Sequence, residues 1–168
     1  MPHASRGRGS ATPAIRALDR IGVPYRLLGF DHDPAVTDFG DEAVARLPLP
    51  APQVLKTLVV ETDARDVPLA VGVVSVAGRL DLKALAHALG CKRCRMVAPA
   101  VAERRTGYVV GGISPLGQRT RLPIVIDDGV LAQPLVVVSG GRRGLDVELA
   151  PADLVRATGA RTAPIERD

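Results

Sequence analysis

Apolar residues along this chain recur at two spacings, and their alternation lays out the expected elements. "TPAIRALDRIG" (12–22) places Ile15, Leu18 and Ile21 on one helical stripe. Thr12 stands as N-cap, Pro13 in the first turn and Gly22 just past the end. "VPYRLLGF" reads as a short strand, and "DHDPAVTDFGDEAVARL" as a loop followed by a helix over roughly 40 to 47. "QVLKTLVV" predicts a strand reaching about Val60, "TDARDVP" a turn and "LAVGVVSV" a buried strand. "AGRLDLKALAHALG" predicts a helix that buries Leu82, Leu85, Ala86 and Leu89 and turns His87 to solvent. Next come a short helix opened by Pro99, a strand "YVVGG", the loop "ISPLGQRTR" and the strands "LPIVID" and "LVVVSG", joined around "DDG". "GGRRGLDVEL" leads into a last helix, "PADLVRATG". Regular strand–helix alternation is absent. The order predicts an α+β fold whose mixed sheet curls toward a barrel, with helices around it.

One position breaks the pattern. In "PQVLKTLVVET" (52–62), a lysine interrupts a β-branched run. If 54–60 is a strand, Lys56 shares a face with Val54, Leu58 and Val60 while Thr57 points the other way. A lysine among valines loses rotamer freedom and desolvates its ammonium. From these residues alone, the simpler expectation is a strand that begins at Leu58, with Lys56 on a solvated shoulder.

Composition narrows the class. A chain of 168 residues with 46% hydrophobic content is globular, and its length suits one domain over 12–168. Residues 1–11 are small, polar and basic and are expected to form a disordered extension, so His3 receives no role. Four aromatics (Tyr25, Phe30, Phe39 and Tyr108) are too few for a base-stacking platform on single-stranded nucleic acid. The formal charge of +4 is carried by arginine, with lysine only at 56, 83 and 92. The usage of Arg, Ala, Pro, Gly and Val fits a GC-rich coding bias, so the basicity is weak support for a polyanionic partner. No run has signal-peptide or membrane-span length, which places the expected location in the cytoplasm.

Catalytic signatures are few. Cys91 and Cys94 form one C-x-x-C, which cannot close a zinc site by itself and follows a helix-ending glycine instead of opening a helix. Of three histidines, only His32 in "DHDP" lies in a plausible site loop. Metalloprotease, nucleophile-elbow and Walker motifs are missing from the sequence, so neither a nucleophile–base dyad nor a metal-bound water is indicated. What remains is two glycine loops at strand ends, "VVGGISPLG" and "VSGGRRGLD". Each carries Gly-Gly and a serine: Gly111, Gly112 and Ser114 in the first, Ser139, Gly140 and Gly141 in the second. Such loops either turn backbone N–H groups toward an anion or make tight turns between strands, and the residues leave both readings open.

The segments "TPAIRAL", "DHDPAVTDFGDEAV", "QVLKTLVV", "LDLKALAHALG", "RTGYVVGGISPLGQRTRLPIVID" and "VSGGRRGLDVELAPADL" resemble, in this order, the YbaK family of free-standing aminoacyl-tRNA editing proteins. The nearest likeness is to bacterial cysteinyl-tRNA(Pro) deacylases. The resemblance implies a mixed, partly barrel-like sheet, no metal and no cofactor. It puts Lys56 in the pocket as the site lysine, against the solvated-shoulder reading. It also implies site roles for Gly111, Gly112 and Asp146, and substrate contacts from Ser139, Gly140 and Gly141. Phe30, His32, Thr57 and Ser114 enter as neighbouring positions. Phe30 stands where many relatives have tyrosine, which removes a hydroxyl, and Cys91 and Cys94 fall where relatives carry ordinary residues.

The implied partners are the acceptor end of tRNA(Pro) and prolyl-tRNA synthetase, with Arg119, Arg121, Arg142 and Arg143 as candidate phosphate contacts. The implied reaction is attack of the substrate's own thiol on its ester, with backbone amides near Gly111 and Gly112 holding the oxyanion. Asp146 either pairs with Lys56 or binds the substrate amine. The alternatives are editing of another ester, such as alanyl-tRNA(Pro), by water, a non-catalytic module docking on tRNA or synthetase, and a small-nucleotide binder.

Overall fold

The computed structural model describes residues 11–29, 33–35, 39, 42 and 49–168. Phe30, His32 and nearly all of the helix expected at 40–47 lie outside the described residues.

Helix α1 (Pro13–Ile21) starts where Thr12 Oγ1 accepts from the Ile15 N–H at 3.2 Å. The same hydroxyl donates to the Gly140 carbonyl, so this cap also ties the helix to the second glycine loop. Helix α2 (Leu82–Leu89) is capped by Asp81, whose carboxylate accepts from the Ala84 N–H at 3.0 Å. It ends at Gly90, whose φ of 75° suits a residue without Cβ. His87 is exposed and Leu85 and Ala86 are buried, as the stripe required. Helices α3 (Pro99–Thr106) and α4 (Pro151–Thr158) both open on proline.

Among the described residues, three sheets carry the strands. The first is antiparallel, in the order β1 (Arg26–Gly29), β8 (Leu145–Leu149), β7 (Val136–Arg142). The second is mixed, in the order β5 (Cys94–Met96), β2 (Leu55–Thr62), β3 (Leu69–Ser75), β6 (Ile124–Asp127), β9 (Arg161–Ala163). β2, β3 and β5 pair antiparallel, while β3–β6 and β6–β9 are parallel. The third is a ribbon of β4 (Arg79–Leu80) and β10 (Glu166–Arg167). A parallel bridge between Val54 and Val137 joins the first two sheets and gives the partly barrel-like wrap.

Alternation along β2 serves two cores. Leu55 and Val59 pack into a larger cluster with Leu18, Val71, Val73, Val138, Val147 and Leu154. Leu58 and Val60 face a smaller one with Val74, Leu80, Leu85 and Ile165. Leu18, Leu85 and Leu154 are fully enclosed, each contributing about 1.5 to 3 kcal/mol. The C-terminal strands are pinned by carboxylates. Asp127 Oδ1 accepts from the Ile165 and Glu166 N–H groups, both at 2.9 Å, and Glu166 binds the Ser75 N–H and hydroxyl.

Two expectations change. β2 begins at Leu55 and not at Leu58, because the Val54–Val137 bridge and pairing of Leu55 with Ser75 hold the chain extended before the lysine. The expected strand "YVVGG" is a turn in which the Gly112 N–H donates to the Val109 carbonyl at 2.8 Å. Its apolar look comes from Tyr108, which is buried with its hydroxyl on the Leu116 carbonyl at 2.6 Å.

Candidate active site

The seam between the two large sheets opens into the site. β2 and β7 touch at Val54–Val137, and β5 pairs with β2 only from Val60 onward. Between these points lies a cavity of about 550 Å³. Its walls come from Val54 and the first half of β2 (55–59), β7 and β8, the β5–α3 junction (Met96, Val97, Pro99, Ala102), the first glycine turn and Phe39. Most of that lining is apolar, and among the described residues its polar side chains are Lys56, Thr57, Ser139 and Asp146.

Lys56 is half-buried in β2, opposite Val74. Its Nζ donates to the Gly78 carbonyl at 2.9 Å, in the turn between β3 and β4. That bond answers why a lysine sits in this strand: a backbone acceptor compensates its partial desolvation. Among the described residues it has no ion pair, so two of its three N–H donors are left for a ligand.

Asp146 and Ser139 face one another across the β7–β8 ladder. Asp146 Oδ2 is buried without a hydrogen-bond partner, and burial pushes its carboxyl up to about 7. The Lys56–Asp146 pairing weighed from sequence is not formed among the described residues. The Ser139 hydroxyl accepts from the Gly141 N–H at 3.2 Å, where the ladder shifts register between Ser139 and Arg142.

The two glycine loops pack on each other. A Cβ on Gly112 would lie 2.8 Å from the Arg142 Cα and carbonyl carbon, so only glycine lets these backbones meet. Gly111 lines the cavity at φ 88°, and a Cβ there would meet the Phe39 ring at 2.6 Å. With the Gly112 N–H held by Val109, Gly111 supplies the N–H of this pair that has no partner among the described residues. Gly140 and Gly141 pack against Leu145, Tyr108 and Thr12 beneath the loop and do not line the cavity. Ser114 is fully buried, accepts from the Leu116 N–H at 3.2 Å and does not line it either.

Of the four arginines, Arg143 stands at the rim. Its Nε donates to the Val110 carbonyl at 2.8 Å and its guanidinium lies 5.1 Å over the Phe39 ring. Arg142 is exposed beside it. Arg119 packs against Gly107 and Arg121 against Gly159, at the C-terminal ends of α3 and α4, where a cation offsets the helix dipole. Neither lines the cavity.

Sequence reasoning missed the β5–α3 wall and Phe39. Its only signal was the apolar pair Met96–Val97 following a run of basic residues. Cys91 and Cys94 lie outside the cavity, with Sγ atoms 3.7 Å apart. Among the described residues no cluster of three His, Cys, Asp or Glu side chains could hold a metal ion, and no helix is long and apolar enough to cross a membrane.

Comparison with known proteins agrees with this architecture. The aminoacyl-tRNA editing domain family matches residues 33–157. A protein of Enterococcus faecalis (strain ATCC 700802 / V583), named as a putative Cys-tRNA(Pro)/Cys-tRNA(Cys) deacylase EbsC, is 33% identical over 159 residues, covering 92% of each chain. The solved structure of a putative trans-editing enzyme for prolyl tRNA synthetase superposes with a TM-score of 0.78 at 26% identity, over 95% of this chain and 100% of the other. A second solved structure, of a hypothetical protein, gives 0.81 at 25% identity over 93% and 100%. Matched along most of its length in sequence and in fold, the chain belongs to the YbaK-type aminoacyl-tRNA editing family and is an aminoacyl-tRNA deacylase.

Proposed function

We propose that this deacylase removes cysteine mistakenly esterified to tRNA(Pro), with the substrate's thiol as nucleophile. The observation that carries the reading is the lining of the cavity: among the described residues its titratable side chains are one lysine and one buried carboxyl, and no cysteine or histidine lines it. The relative named for Cys-tRNA(Pro) and Cys-tRNA(Cys) supports the choice of amino acid.

A free thiol near pKa 8.5 is a few per cent thiolate at neutral pH and needs no protein base. Folded back on its own ester, the thiolate forms a C–S bond to the carbonyl carbon and a tetrahedral oxyanion. Collapse breaks the bond to the ribose oxygen, which leaves with a proton. Water then opens the strained cyclic thioester to free cysteine. Holding the two groups together supplies up to about 7 to 11 kcal/mol of the barrier.

The protein's part is positioning and charge. The Gly111 N–H is suited to the oxyanion, a donor of a kind that contributes about 3 to 4 kcal/mol. Lys56, with free N–H donors, suits the phosphate or ribose of the terminal adenosine, and Arg143 at the rim suits the next phosphate. Prolyl-tRNA synthetase is the partner that would bring the correct tRNA. The test is single-turnover deacylation of cysteinyl-, alanyl- and seryl-tRNA(Pro). Loss of cysteine alone supports the reading; equal loss of all three means that water attacks and the thiol is a bystander.

A further inference from the structure

Among the described residues, β2 carries a hydrogen-bonding edge that is left open around Thr57. The register with β3 is unbroken from Leu55–Ser75 to Glu61–Leu69. Val71, opposite Val59, gives its N–H to Pro123 at 2.8 Å, away from β2. Ser75, opposite Leu55, gives its N–H to Glu166 at 3.0 Å, again away from β2. Leu55–Ser75, Thr57–Val73 and Val59–Val71 are therefore the non-hydrogen-bonded pairs of this ladder, and the backbone groups of Leu55, Thr57 and Val59 point to the far side. On that side the Val59 carbonyl accepts from the Val97 N–H at 3.2 Å, and the Val54–Val137 bridge closes the other end. Thr57 lies between them in the cavity wall, its N–H and C=O both turned into the opening.

We propose that this edge is the aminoacyl subsite, taking the amino acid as a one-residue β-strand. In a hydrogen-bonded antiparallel pair, two residues exchange both N–H···O bonds. An ester-linked amino acid offers the same two groups on one Cα, an amine donor and a carbonyl acceptor. The Thr57 N–H donates to the ester carbonyl, and the Thr57 C=O accepts from the α-amino group. Cross-strand partners share a face, so the substrate side chain lies beside that of Thr57, between Leu55 and Val59 on the face of the larger core. The role of Thr57 is thus in its main chain, which explains how a threonine can serve here without a special hydroxyl. The inference rests on the deacylase reading only in that the ligand is an aminoacyl ester.

The test compares tRNA(Pro) carrying cysteine with tRNA(Pro) carrying 3-mercaptopropionate, which keeps ester and thiol and lacks the α-amine. The wild-type enzyme is expected to lose roughly 10- to 100-fold in kcat/KM on the second ester. Thr57→Pro deletes the outward N–H and spares the β2–β3 bonds, and it should slow cysteinyl ester cleavage by a similar factor. If that variant fails to fold, by its thermal melt, the substrate comparison decides alone. Asp146→Asn should keep the amine preference; losing it there would move the amine to Asp146 and overturn the assignment, as would equal rates on the two esters. Calorimetry with amide-linked analogues of the same two acyl groups on 3′-amino-adenosine separates the claims. Preference for the amine without turnover of cysteinyl-tRNA(Pro) sinks the proposed substrate and keeps the subsite, whereas equal binding sinks the subsite.

Discussion

The Lys56 ammonium donates to the Gly78 carbonyl at 2.9 Å, across the turn that joins β3 to β4. One neutral acceptor positions the charge without neutralising it. Lys56→Ala is therefore expected to lower kcat/KM roughly 10- to 150-fold, the range for losing hydrogen bonds to a charged group. Its melting temperature should fall by about 3 to 12 °C, for one bond from a charged donor worth about 1.5 to 3 kcal/mol. A thermal melt beside single-turnover rates separates the two, and an active variant would remove Lys56 from the site.

Asp146 makes stability depend on pH. Its folded carboxyl is raised from 3.8 to about 7, by burial. Between these values the folded state holds a proton that the unfolded chain has released, so stability declines as pH rises from 4 through 7. Above 7 the whole penalty of a buried, unpartnered carboxylate is present. Asp146→Asn should flatten this slope and melt higher than the wild type at pH 8, with the gap closing toward pH 5. Parallel melting curves over that range would show that Asp146 is solvated.

Gly112 and Gly111 should respond differently to alanine. At Gly112 the new methyl meets the backbone of Arg142 and Arg143, which cannot swing aside. Overpacking of this kind costs about 1 to 3 kcal/mol, or roughly 2 to 12 °C in melting temperature for a chain of this size. At Gly111 the obstacle is the Phe39 ring and a positive φ, so the change disturbs the cavity wall first. Gly111→Ala is expected to lose more activity than stability, and Gly112→Ala to lose both.

Cys94 should be quiet at neutral pH. Burial, then the hydrogen bond to Cys91, pushes the Cys94 thiol up to about 12. Alkylation of Cys94 by iodoacetamide at pH 7.5 should run well below the rate of free cysteine, and the double change to serine should leave deacylation intact. Rapid alkylation of Cys94 would contradict the assignment of its thiol as protonated.

Local signals were legible where the chain specifies itself. Thr12, Pro13 and Gly22 bound α1, and Asp81 and Gly90 bound α2, because caps and breakers act within a few residues. Short strands such as β9 (Arg161–Ala163) and β10 (Glu166–Arg167) were not legible. Their sequences are mostly polar, and their extended form depends on distant partners: β9 pairs with β6, and β10 is held by Asp127 and Ser75 through Glu166. The run at 108–112 misled for the reverse reason: Tyr108 and Val110 look like a strand, while glycine at 111 permits the turn. Of the residues that the family resemblance pointed to, Lys56, Thr57, Asp146, Ser139 and Gly111 line one cavity, while Gly112, Ser114, Gly140 and Gly141 do not. The open edge at Thr57 could not be read, since register and hydrogen-bond phase come from pairing and leave no mark in side-chain pattern.

If the substrate supplies the nucleophile, blocking its thiol stops the reaction. Single-turnover deacylation of cysteinyl-tRNA(Pro) is compared with S-methylcysteinyl-tRNA(Pro), which retains the amine and ester and lacks the thiol. Attack by the substrate thiol requires at least a hundredfold slower loss of the methylated residue, with binding of the two within a few-fold. Equal rates would contradict it and assign the attack to water.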